Sequence, residues 1–151
     1  MIEVAVEFKG LKELDEAISK LPDEFQDKVV RAGLRSGGQV FVDGMGRRAP
    51  KDPEHRVIRR GKPYPVPLWQ SIGMRVSVSK TRAVANVGPM VRAFWGRFQE
   101  KGTRYQSPQP FMAPTLEGDG QIAIAAFVAE AQRKLSDVVR KLNPTAGRAA
   151  A

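Results

Sequence analysis

Cysteine is absent from the 151 residues, and histidine occurs once, at position 55. Disulfides, thiol nucleophiles and Cys/His zinc sites are excluded, and any Ser-His or His-metal mechanism would rest on His55 alone. No run approaches the ~20 apolar residues that cross a bilayer. Met-Ile-Glu at the start does not open a signal peptide. No membrane partner is expected, and the chain is expected to stay in a cytoplasm-like compartment. Acidic side chains are scarce in one region: between Arg47 and Arg104 there are only Asp52, Glu54 and Glu100.

That scarcity gives the net charge of +9 a location. Residues 1–46 hold 6 basic and 9 acidic side chains, residues 47–62 hold 7 and 2, and residues 75–104 hold 7 and 1. The whole excess lies in the middle third, which makes it the candidate contact region for a polyanion or an acidic protein neighbour. A chain of this length buries roughly 68–70% of its unfolded surface as one domain, so no metal or disulfide staple is needed.

Residues 2–8 alternate Ile2, Val4, Val6 and Phe8 with Glu3, Ala5 and Glu7, the two-residue period of a strand with one buried face. Leu11, Leu14, Ile18 and Leu21 then make the stripe of a short helix, stopped by Pro22. A second, longer helix is expected from Pro22 to Arg48, about 39 Å at 1.5 Å per residue. Its glycines have two readings: a kink near Gly37-Gly38, or a face of Gly33, Gly37 and Gly44 on which another backbone comes close. Residues 50–68 carry five prolines and no regular period, the pattern of an arm.

Residues 73–88 read as a β-hairpin with Lys80-Thr81-Arg82 at its turn. Residues 93–98 fit a third strand or a helical turn. The 102–114 segment, with three prolines in its last seven residues, is expected to be stiff and to return Phe111 and Met112 to the core. Ile124, Phe127, Val128, Ala131, Leu135, Val138 and Leu142 define a final helix, with Asp119 as its expected N-cap and Asn143-Pro144 as its stop. The expectation is a single α+β domain over residues 1–143. A small antiparallel sheet, made by the N-terminal strand and the hairpin, packs on the central and C-terminal helices. The basic arm is inserted at about 50–68, and residues 144–151 form a tail.

Catalytic patterns are poor. Asp52, Glu54 and His55 are close in sequence but lie among cations that repel a divalent ion. Gly33 to Gly38 sits inside a helical pattern without the Lys-Ser/Thr of a phosphate loop. Ser71 and Ser107 have no histidine in sequence context to activate them. No catalytic residue, metal or cofactor is expected. Arg47, Arg48, Lys51, Arg56, Arg59, Arg60, Lys62, Arg75, Lys80 and Arg82 are the candidates for a DNA channel or a docking surface, with Tyr64 and Trp69 able to stack.

The order of motifs resembles the tail-completion or neck proteins of long-tailed, lambdoid-type bacteriophages. The residues that carry the resemblance are Gly10-Leu11-Lys12-Glu13-Leu14, a long helix ending in Arg47-Arg48-Ala49-Pro50, and Leu68-Trp69-Gln70-Ser71-Ile72 before a hairpin. Gly102-Thr103 and Gln109-Pro110-Phe111-Met112-Ala113-Pro114 then precede a closing helix. Two departures are visible: Pro50 is followed by Lys51-Asp52-Pro53 and an insertion to about Pro67, and Glu100-Lys101 stands where an acidic-aromatic pair is usual.

The resemblance implies a structural virion subunit at the head-tail junction, assembled in the host cytoplasm as a homo-oligomeric, six-fold ring. Its neighbours would be head-connector or head-closure proteins and tail-terminator or tail-tube proteins, with packaged double-stranded DNA as a further contact. Gly33, Gly37, Gly44, Tyr64, Trp69, Gly102, Thr103, Pro108, Pro110, Phe111 and Pro114 are the subunit-interface candidates. The competing readings are a non-specific DNA-binding protein and, more remotely, a small phage nuclease.

Overall fold

A computed structural model of the chain describes residues 11–51, 58–59, 62–63 and 66–143. The expected N-terminal strand, most of the expected arm and the C-terminal tail lie outside the described residues.

Helix α1 (Leu11–Ser19) buries Leu14 and Ile18, the apolar stripe read from the sequence. Pro22 separates it from α2 (Asp23–Arg48), and the Pro22 carbonyl accepts from the Phe25 and Gln26 amides at 2.9 and 3.1 Å. Asp23 and Glu24 complement the dipole at that end, and Arg47 and Arg48 complement it at the other. The Ala49 amide donates to the Met45 carbonyl at 2.7 Å before Pro50 ends the run.

The helix passes unbroken through Gly37-Gly38, so the kink is not taken. The close backbone belongs instead to α4 (Met112–Leu142), which runs antiparallel to α2. A Cβ on Gly37 would stand 2.8 Å from the Ala123 carbonyl oxygen, and one on Gly33 2.9 Å from the Phe127 ring. One on Gly44 would meet the Asp119 carboxylate. Helix axes normally lie 8–10 Å apart, and removing side chains along one face is how two helices reach the short end of that range.

Strands β1 (Ile58–Arg59) and β2 (Lys62–Pro63) form a two-residue antiparallel ladder within the stretch read as an irregular arm. A 3₁₀ turn, Leu68–Gln70, leads into β3 (Ile72–Val78), which pairs antiparallel with β4 (Ala83–Pro89) from Ile72↔Pro89 to Val78↔Ala83. The Ser79 and Arg82 backbones bond each other across the turn. The hairpin packs on α2.

Residues 93–98 resolve in favour of the helical turn. A 3₁₀ turn, Val91–Ala93, is followed by α3 (Gly96–Lys101).

Two cores form at opposite ends of the α2/α4 pair. Met45, Ala49, Leu68, Ile72, Ala93, Trp95 and Phe111 make one. Leu14, Ile18, Val29, Ala131 and Val138 make the other. The final helix corrects the sequence reading. It starts at Met112, so Asp119 lies two turns inside it and is no cap. Pro114 is tolerated because it sits in the first turn, where the missing N–H has no intrahelical partner.

Candidate interaction surface

Two carboxylates organise the end of the molecule where α2 finishes and α4 begins. Asp119, whose side chain is 7% exposed, receives Arg48 in a two-pronged pair, Nη1 to Oδ2 at 2.7 Å and Nη2 to Oδ1 at 3.1 Å. The Arg47 guanidinium lies 3.5 Å from the same carboxylate. Hydrogen bonding by Arg48, helped by both positive charges and opposed by burial, holds the Asp119 carboxyl below the usual range. The same bond raises Arg48 above its ordinary value. Thr115, fully buried, donates to the Phe111 carbonyl at 2.6 Å and tightens the first turns of α4.

Glu100, at the end of α3, caps α4 from outside it. Its carboxylate accepts the amides of Phe111 at 2.7 Å, Met112 at 2.9 Å and Ala113 at 3.0 Å. Burial raises its pKa, but the three backbone donors outweigh burial and leave the carboxyl below the usual range. Of the four positions where a helix start leaves backbone donors without partners, Pro114 has no N–H, and Glu100 satisfies the other three. Glu100 therefore ties the proline-rich loop to the helix that the loop precedes.

Between Glu100 and α4 the loop is clamped at its base and open at its tip. Gly102 has φ +72°, a conformation that a side chain would strain. The Thr103 amide donates to Gln106 at 2.8 Å, and the Gln109 amide to the Gln99 carbonyl at 2.7 Å. Thr103, Pro108 and Pro110 are exposed. Tyr105 is 87% exposed, with the Arg104 guanidinium 5.0 Å from its ring centre. Before the loop in sequence, Met90, Val91, Phe94 and Phe98 also stand exposed, Val91 at 89%. Phe94 and Phe98 meet edge to face at 6.3 Å.

The sequence candidates separate on this framework. Arg47 and Lys51 lie at the α3 end, Lys51 5.8 Å from the Trp69 ring. Lys80 and Arg82 lie at the hairpin turn, across a cleft from Asp15, Asp23 and Asp27. A seven-residue strand spans roughly 23 Å, so these cations do not form one patch. Arg75 is exposed along β3. Arg48 is committed to Asp119 inside the subunit. Arg59 and Lys62 sit on the β1/β2 ladder, whereas Arg56, Arg60 and Tyr64 lie outside the described residues.

Among the interface candidates, Gly33, Gly37 and Gly44 are buried against α4, and Phe111 is fully buried in the core. These four do not reach the surface. Pro114 is exposed in the first turn of α4, and Trp69 is 38% exposed. The sequence reading missed the structural roles of Asp119 and Glu100. For Asp119 the available signal was its place on the α4 face with Thr115 and Ala123, positions i−4 and i+4.

The metal candidates Asp52, Glu54 and His55 lie outside the described residues. Among the described residues no group of three or more His, Asp or Glu side chains could hold a metal ion. No helix among them is long and apolar enough to cross a membrane.

Comparison with known families gives a match to the family described as "Bacteriophage HK97-gp10, putative tail-component", over residues 12–102. The chain belongs to this family. The matched span runs from α1 to the glycine that ends α3, and so includes α2, the hairpin and Glu100. The clamped loop and α4 follow it. No curated protein and no solved structure matches the chain significantly. Membership makes the chain a structural phage protein, a tail component of the virion.

Proposed function

We propose that this tail component is a ring subunit of the neck, joining the tail tube to the head connector. The observation that carries the reading is the exposure of four large apolar side chains, Met90, Val91, Phe94 and Phe98, in the stretch that precedes the clamped 102–111 loop. On a member of a phage tail-component family, large apolar side chains left exposed ahead of a fixed loop are suited to burial against another subunit. A heterologous contact of that kind closes into a ring when its rotation divides a full turn. Six copies, with connector and tube proteins on either side, are the assembly that the family resemblance favours. Arg75, Lys80 and Arg82 would then face DNA in the channel or the acidic surface of an adjoining ring.

The test is the state of the purified protein with and without its apolar patch. Native mass spectrometry of the wild type is expected to show closed oligomers, and Val91→Ser/Phe94→Ser is expected to shift them to monomers with an unchanged circular dichroism spectrum. A wild type that stays monomeric, yet binds duplex DNA tightly at 150 mM salt with a steep salt dependence, would favour the free DNA-binding reading instead.

A further inference from the structure

The 102–111 loop presents one aromatic side chain on a fixed support. The Thr103 amide donates to the Gln106 carbonyl at 2.8 Å and the Gln106 amide returns to Thr103 at 3.3 Å, closing a turn with Arg104 and Tyr105 at its tip. The Tyr105 amide donates to the Thr103 hydroxyl at 3.2 Å, and the Gln106 side chain ties the turn to Gln99 of α3 at 3.1 Å. Tyr105 is nevertheless 87% exposed, with the Arg104 guanidinium over its ring. Tyrosine and arginine held on a rigid support lose little conformational freedom on burial, and they are among the residue types that dominate contact energies. The charge around them has one sign. Arg97, Lys101 and Arg104 are exposed, and Glu100, the only acidic residue from 90 to 110, is taken up by three α4 amides.

The matching shape lies at the other end of α2. A cleft of about 370 Å³ opens between α1, the start of α2 and the hairpin turn. Ile18, Val30 and Val78 line it together with Asp15, Asp23 and Asp27, and these three carboxylates outnumber Lys80 and Arg82 from the turn. An aromatic ring with a hydroxyl at its far end suits such a mixed lining, and a guanidinium beside the ring suits the carboxylates. One chain cannot bring the two together. Trp95 and Phe111, which bracket α3 and the loop, pack with Met45 and Ala49 at the end of α2, whereas Asp23 starts that helix, 26 residues long and so roughly 39 Å from end to end.

We infer that the loop of one copy seats Tyr105 in this cleft of the next copy, with Arg104 against the carboxylates of Asp15, Asp23 and Asp27. This contact rests on the ring reading above. The occupant is a second copy of this chain because both halves of the contact, opposite in charge, are present on every subunit at opposite ends. Such a head-to-tail contact is heterologous: each subunit gives one loop and receives another, and the series closes when its rotation divides a full turn. Complementary charge fixes the orientation and makes the assembly weaken as salt rises.

Charge reversal on the full chain tests it. Lys101→Glu/Arg104→Glu makes the loop end acidic, and Asp15→Lys/Asp27→Lys makes the cleft basic. Native mass spectrometry is expected to show each variant alone as monomers, with the circular dichroism spectrum of the wild type. An equimolar mixture is expected to restore closed oligomers, because the acidic loop of one variant meets the basic cleft of the other and the unchanged loop meets the unchanged cleft. The absence of native cysteine gives a second measurement if a reversed variant does not fold. Tyr105→Cys/Thr81→Cys, at two exposed positions of the loop and the cleft, is expected to oxidise into a ladder of disulfide-linked chains. Oligomers that persist in both reversed variants, a mixture that does not reassemble, or oxidation without a ladder would overturn the contact and leave the ring reading standing. A wild type that stays monomeric would remove the ring reading, and the contact with it.

Discussion

At Gly37 a single hydrogen in place of a methyl group sets how closely two helices approach. Alanine is the better helix former by about 1 kcal/mol, yet its Cβ would stand 2.8 Å from the Ala123 carbonyl oxygen, a backbone atom that cannot rotate away. Overpacking of this kind costs roughly 1–3 kcal/mol and outweighs the propensity gain. Gly37→Ala is therefore expected to lower the melting temperature by a few degrees in a calorimetric scan. Gly120, which has nothing within 4 Å of a built Cβ, is the control: Gly120→Ala should stabilise, since only helix propensity changes there. If both substitutions stabilised, the tight α2/α4 contact would be wrong.

Asp119 and Glu100 act at the same scale through charge. Arg48 hydrogen bonding lowers the pKa of Asp119, while three backbone amides overcome burial to lower that of Glu100. Both titrate lower folded than unfolded, so their contribution is complete above the ordinary carboxylate range. It is lost as pH falls through their folded values. Stability measured by denaturant unfolding is expected to fall from pH 5 towards pH 3, and Asp119→Asn should flatten that dependence. An unchanged slope in the variant would remove Asp119 from the account.

At the scale of elements, α4 shows what a sequence pattern can and cannot disclose. Its apolar stripe from Ile124 to Val138 was legible because the 3.6-residue period is strong there. The first two turns were not, because Pro114, Gly118 and Gly120 dilute the period and the cap comes from Glu100, eleven residues before Phe111 in the chain. A capping partner that far away leaves no local signature of the Ser-x-x-Glu kind. The α2 glycines were legible as a close-approach face but not as to which backbone approaches, since antiparallel pairing with α4 is a tertiary fact. Residues 93–98 were too few for periodicity to decide between strand and helix. Glu100→Ala is expected to cost about 0.5–2 kcal/mol, the range for losing a helix cap. Amide exchange in that variant should rise first at residues 111–113; protection unchanged there would show that the cap contributes nothing.

For the whole molecule, the net charge resolves into local roles. Arg47 and Arg48 serve Asp119, Lys51 lies by Trp69, and Lys80 and Arg82 face the acidic start of α2 across a cleft. A basic composition suggested a polyanion partner, but the described cations are spread between the two ends of the α2/α4 pair and do not form a single track. What the stretch before the loop exposes is apolar: Met90, Val91, Phe94 and Phe98, followed by a loop that Gln99 and Glu100 hold in place. In a tail-component family, that surface favours contact between subunits over solitary binding of nucleic acid.

The assembled state of the purified wild-type protein tests this most directly. Electron-microscope class averages are expected to show closed rings, six subunits each, that disperse when Val91 and Phe94 are replaced by serine. A monodisperse monomer at micromolar concentration, with or without duplex DNA, would contradict the neck-ring account.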